Sequence, residues 1–140
     1  MTKTAKTEKI LIGGAALRRH GSDRHTDDVD YLVWIKDAPV FIHKAEGDLV
    51  NAAAHNFLAE VWESCNPSEG VADPQSMLEL KAWAFVNYCQ NGDFRHADKA
   101  EYDIKFLVRH FDVTKTPILA KVAHAGELAE VAKIIAGVRR

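Results

Sequence analysis

Two aspartates, Asp28 and Asp30, open an apolar run with one residue between them. On a strand alternate residues share a face, so both carboxylates would project the same way. Neighbouring carboxylates repel unless a cation sits between them. Mg2+ takes hard oxygen ligands of this kind, commonly one or two carboxylates plus substrate phosphates. Fourteen positions before Asp28 stands Gly14, preceded by Gly13, directly after the apolar Ile10-Leu11-Ile12. Two glycines let the backbone turn sharply and approach a ligand closely. The first N–H groups of a helix that follows them would point outward as an anion site. Apolar strand, Gly-Gly, short helix, polar loop and Asp-x-Asp, in that order, suit a nucleoside triphosphate with its metals. Phosphoryl-type transfer depends mainly on such positioning and charge neutralisation. Arg24 and Thr26 stand just ahead of the acids. Each part alone is common, but the ordered combination is much rarer.

Other chemistries have less behind them. The seven histidines are scattered, with no HxxxH on a helix and no HExxH, which argues against a zinc site. Cys65 and Cys89 form no CxxC pair and no disulfide framework; this fits a reducing, cytoplasmic setting. Gly-x-Ser-x-Gly is absent. Trp34, Trp62 and Trp83 fall on predicted elements and read as core. Arg18-Arg19 and Arg139-Arg140 are small basic pairs that could steer an RNA acceptor, with a solvated surface as the plainer reading.

The elements that must position these residues fall into two halves. Ile10 to Ile12 reads as a strand, Ala15 to His20 as one or two helical turns, and Gly21 to Asp27 as a polar turn. Val29 to Ile35 reads as a second strand, Lys36 to Pro39 as a hairpin connection and Val40 to His43 as a third strand. From Asp48 to Ser64 the apolar spacing predicts a helix. The longest loop is expected from Cys65 to Ala72. Asp73-Pro74 is an N-cap and first-turn pair for a helix closed by Gly92. Glu101 to Phe111 is a further helix; another starts at Thr116-Pro117, is broken or redirected at Gly126, and is completed by Glu127 to Val138. The expected fold is α/β: a small mixed sheet with helices over residues 1–72, then a helical region over 73–140, together one compact domain.

The composition permits this. At 140 residues the chain matches one domain of roughly 150, large enough to bury about two-thirds of its unfolded surface. Its 47% hydrophobic and 27% charged residues exclude a disordered chain, a collagen or a repeat array. A formal charge of −2 supplies no bulk positive field, so any nucleic-acid binding must be local. Lys3, Lys6 and Lys9 before Ile10–Leu17 have the outline of a signal peptide. The apolar run has only eight residues, holds two glycines and leads into Arg18-Arg19-His20 without a small-x-small cleavage site, so it reads as a buried strand entering a turn. No stretch nears the ~20 apolar residues of a membrane span.

Gly13-Gly14-Ala15-Ala16-Leu17, His20-Gly21 and Arg24-His25-Thr26-Asp27-Asp28-Val29-Asp30 together resemble the signature of the nucleotidyltransferase fold, the DNA polymerase β-like superfamily. The wording is most similar to AbiEii-type toxin nucleotidyltransferases of abortive-infection and toxin–antitoxin systems. The resemblance implies a glycine turn, here Gly13 and Gly14, that binds triphosphate. It implies two Mg2+ ions on Asp28 and Asp30, with Arg24 and Thr26 shaping the loop or touching phosphate. The implied reaction moves a nucleoside monophosphate from an NTP to an acceptor, which could be tRNA or other RNA, a protein hydroxyl or a small molecule. An antitoxin partner is implied as well. Lys81 in Leu78-Glu79-Leu80-Lys81-Ala82-Trp83-Ala84, with Arg95, Lys99 and Asp103-Ile104, is similar to the family's helical portion. There Lys81 would offset triphosphate charge; alternatively it snorkels from a core helix. Asp103 could instead pair with Arg95 or Lys99 and fix helix packing.

Many active members of that family carry a third carboxylate on a later strand, usually as ligand and base. No clear strand with a lone acid follows the pair here. Glu46 and Asp48 are the best candidates, and Asp48 reads more readily as the N-cap of the helix expected from that point. The alternative to an enzyme is therefore a weak or inactive fold member that binds a nucleotide or a partner.

Overall fold

The computed structural model describes residues 9–65 and 70–138. Lys3, Lys6, Arg139, Arg140 and the middle of the expected Cys65–Ala72 loop lie outside these. The fold is mixed α/β, and the chain forms two compact units, Met1–Ser76 and Met77–Arg140.

The first unit is a four-stranded mixed sheet with two helices. β1 (Lys9–Ile12) runs straight into α1 (Gly13–Arg19). β2 (Asp30–Val33), β3 (Phe41–Lys44) and β4 (Gly47–Asn51) follow, then α2 (Asn56–Ser64). The sheet order is β1-β2-β4-β3: β1 and β2 are antiparallel, β2 and β4 parallel, β4 and β3 antiparallel. Ile10, Ile12, Leu32, Leu17, Phe57, Leu58, Val61 and Trp62 are buried and make the core of this unit. Trp34 beyond β2 lies 6.1 Å from Trp62 between ring centroids, tying α2 to the sheet. Asn51 closes the β2–β3 connection from within the core. Its Oδ1 accepts from Ile35 N at 2.9 Å and from Ala53 N at 3.1 Å, and its amide donates to Ile35 O at 2.7 Å and Ala38 O at 3.0 Å.

The helix expected from Asp48 to Ser64 is therefore only α2, and Asp48 to Asn51 is strand. Leu49, Ala52 and Ala53 satisfy helical spacing, but a short apolar run satisfies strand spacing too. Here pairing on both sides, with β2 and with β3, decides the conformation. Asp48 is no N-cap. His55 caps α2 instead, its Nδ1 accepting from Phe57 N at 3.2 Å.

The second unit is helical: α3 (Pro74–Gln90) enters it, followed by α4 (Phe94–Phe111) and α5 (Ala125–Ala136). At the start of α3, Asp73 accepts from Ser76 N at 3.3 Å, as its expected capping role requires. α4 begins seven residues before the expected Glu101, because Asp93 caps it by accepting from His96 N at 3.3 Å. Its first turns expose Phe94, Arg95 and His96 and bury only Ala97 and Ala100, which leaves little apolar periodicity to read. Gly126 lies inside α5 rather than breaking a helix. The region after Pro117 holds only a short 3-10 turn, Leu119–Lys121. No helix among the described residues is long and apolar enough to cross a membrane.

Candidate functional site

The glycine bend sits where β1 becomes α1. Gly13 has φ +68°, a left-handed conformation that favours glycine, and a Cβ there would lie 3.0 Å from Asp30 Oδ2. The first glycine thus gives room to the carboxylate of the strand paired with β1, where Ile12 lies opposite Asp30. Gly14 serves a different neighbour. A Cβ there would meet the Thr26 side chain at 2.8 Å, so the space beside it is filled by the loop. Ile12 precedes α1 without any side-chain cap.

The loop between α1 and β2 is shaped by its own polar groups. Ser22 N donates to Leu17 O at 3.0 Å, and Arg24 N to Ser22 Oγ at 3.3 Å. Thr26 Oγ1 accepts from Asp28 N at 3.4 Å. Arg24 Nη1 lies 3.4 Å from His25 O, and Arg18 Nη1 is the same distance from Arg24 O. Arg24 and Thr26 therefore organise the approach to the acids.

Asp28 and Asp30 differ in their setting. Asp30 begins β2 and is half-buried; Asp28 is exposed in the segment before the strand, so sheet geometry orients only Asp30 directly. Asp30 Oδ1 accepts from Asp48 N at 2.7 Å, and Oδ2 lies beside Gly13. Two close backbone approaches hold this arrangement. Val29 N donates to Glu46 O at 2.8 Å, and Gly47, at φ +154°, lies so near Val29 that a Cβ would be 2.3 Å from its carbonyl oxygen.

Sequence reasoning missed β4 and with it the position of Asp48. The turn Ala45-Glu46-Gly47 before an apolar stretch was the available signal. Asp48 lies beside Asp30 on the adjacent parallel strand, and its Oδ1 is 2.8 Å from His43 Nδ1 across the β3–β4 pair. Glu46 is exposed in the turn. No group of three or more His, Cys, Asp or Glu side chains arranged to hold a metal ion occurs among the described residues.

Lys81 lies in the helical unit, where its ammonium is committed to Asp103. Nζ and Oδ2 are 2.9 Å apart, and the Asp103 side chain is 0% exposed. The pair links α3 to α4, so Lys81 itself is a partner of Asp103. Nearby, buried Glu79 accepts from Ile118 N at 2.8 Å and Leu119 N at 2.9 Å, holding the segment before the 3-10 turn.

No protein-family model matches the chain, and no curated protein or solved structure shows significant similarity to it.

Proposed function

We propose that this protein is a Mg2+-dependent nucleotidyltransferase that moves a nucleoside monophosphate from an NTP to an acceptor hydroxyl, with release of pyrophosphate. The observation that carries the reading is the meeting of the Asp30 carboxylate with the left-handed Gly13 bend. A hard-oxygen ligand stands against a turn whose shape only glycine adopts easily, with Asp28 two residues away. The donor set is of the hard-oxygen kind that Mg2+ takes: Asp30 stands against the bend at the start of β2, and Asp28 is exposed two residues before it. Asp28 and Asp30 would hold the metal, which when bound supplies neutralisation of phosphate charge. Gly13 would line the triphosphate beside Asp30, while Gly14 makes room for Thr26, which with Arg24 shapes the surround. Lys81 enters this reading as a residue that fixes helix packing. RNA, protein hydroxyls and small molecules are all chemically suitable acceptors. A role as a toxin countered by an antitoxin rests on the sequence resemblance alone.

The test is thermal unfolding with each NTP, with and without Mg2+. A ligand at 100 times its Kd stabilises by about 2.7 kcal/mol. Wild type should gain stability only when both are present. Asp28→Ala should lose that gain while remaining folded, since its exposed carboxylate supports no packing. Stabilisation by no NTP, or equal stabilisation of Asp28→Ala, refutes the reading.

A second reading, a nucleotide- or partner-binding module without turnover, is favoured by one observation: the carboxylate of Asp48, whose backbone N–H donates to Asp30, is engaged by His43. Label transfer from an NTP that depends on Asp30 would exclude it.

A further inference from the structure

We propose that His43, oriented by Asp48, is the general base that takes the proton from the acceptor hydroxyl; this rests on the nucleotidyltransferase reading. Residues opposite one another in a sheet project from the same face, and neighbouring strands lie about 4.8 Å apart. Ile12 is opposite Asp30, Asp30 is bonded to the backbone of Asp48, and Asp48 is opposite His43. The sheet therefore sets one row across its strands: the glycine bend after Ile12, then Asp30, Asp48 and His43. Phosphate-binding and proton-accepting groups stand at its two ends, with carboxylates between them.

The tautomer follows from the partner. An ionised carboxylate only accepts, so at 2.8 Å His43 Nδ1 carries the proton and donates to Asp48 Oδ1. The lone pair of neutral His43 is then on Nε2. The His43 side chain is 80% exposed, so a bulky acceptor can reach it. The histidine–carboxylate pairs His25–Asp27 and His96–Asp93 are local. His25 and Asp27 share one loop, while Asp93 both meets His96 and caps α4. His43–Asp48 bridges two strands in the row that holds Asp30. The charged groups around His43 are Asp48 opposite, Asp30 one strand further, and Lys44 and Glu46 beside it in the hairpin.

In the step, the acceptor O–H bond breaks and its proton passes to Nε2. The acceptor oxygen forms a bond to the α-phosphorus while the bond from that phosphorus to the α–β bridging oxygen breaks. Pyrophosphate leaves with that electron pair, and His43 later returns the proton to solvent. Asp48 acts through His43 as a positioning residue.

The experiment combines three measurements on the full chain. Nitrogen-15 NMR of the histidines should show neutral His43 as the Nδ1–H tautomer, displaced in Asp48→Asn. Titration with a mixture of the four NTPs and Mg2+ should give the same binding for His43→Gln as for wild type. Transfer from the α-32P-labelled mixture, with water, bulk tRNA or bulk protein as acceptor, should fall about 100-fold or more in His43→Gln and lose its acid-side pH limb. Wild-type transfer by His43→Gln, or an unchanged pH profile, overturns the base role and leaves the nucleotidyltransferase reading standing. Mg2+-dependent NTP binding by wild type with no labelled product in any arm overturns the base role as well. Failure to bind NTP overturns both.

Discussion

At the scale of single residues, the site depends on places where no side chain fits. Gly47 is the strictest: a Cβ there would lie 2.3 Å from the Val29 carbonyl oxygen, and its φ is +154°. Gly47→Ala must move either β4 or the segment carrying Asp28. It should lower stability by about 2–3 kcal/mol, read from the urea midpoint, and weaken NTP binding in parallel. An unchanged midpoint would mean that the backbone gives way there at little cost. Asn51 makes a contrasting case, since it matters for what its side chain does. All four of its bonds reach backbone groups. Asn51→Leu would leave several of these groups buried without partners and should destabilise by about 3 kcal/mol in the same measurement.

At the scale of elements, α3 and α4 are joined by Lys81 and buried Asp103. Removing one partner leaves a buried charge, which typically costs 3–5 kcal/mol, whereas replacing both with apolar residues of similar size is often neutral. Lys81→Met should therefore unfold at clearly lower denaturant, and Lys81→Met with Asp103→Leu should recover most of the loss. Additive losses in that double-mutant cycle would show the pair to be uncoupled. The start of α5 is pH-sensitive for a separate reason. Glu127 accepts from His124 N at 2.9 Å and from the Gln90 amide, and these bonds, the His124 one first, hold its carboxyl below the ordinary 4.5. A lowered folded value means the ionised form supports the fold. That support is present above about pH 4.5 and is lost as pH falls through the lowered value. Amide exchange in the first turn of α5 should accelerate on acidification through this range, and Glu127→Gln should flatten the response.

At the scale of the whole molecule, the proposed site draws its metal-binding and proton-accepting groups from the sheet unit alone. Hydrogen exchange with Mg2+ and NTP should therefore slow in residues 10–30 and 47–51 and stay unchanged through α4 and α5. Slowing confined to the helical unit would place the ligand elsewhere. The formal charge of −2 gives no long-range attraction for polyanions, so any RNA acceptor must be recognised locally.

Local chemistry made much of this legible beforehand. The Gly13 bend beside the start of β2 can be read directly, because turn-forming glycines act over a few residues; the shared strand face expected for Asp28 and Asp30 cannot, since only Asp30 lies in β2. The Asp73 cap and the α/β class are legible for the same reason. Asp48 could not be placed that way. Its strand has the composition of a helix start, and only hydrogen bonds to β2 and β3, distant in the chain, make it a strand. The Lys81 ion pair could not be placed that way either: a lysine's stem reaches several partners, and its pairing with Asp103 is made by the packing of two helices. Short-range preferences are written along the chain, whereas strand order, register and the partner of a buried charge come into being only when remote segments meet.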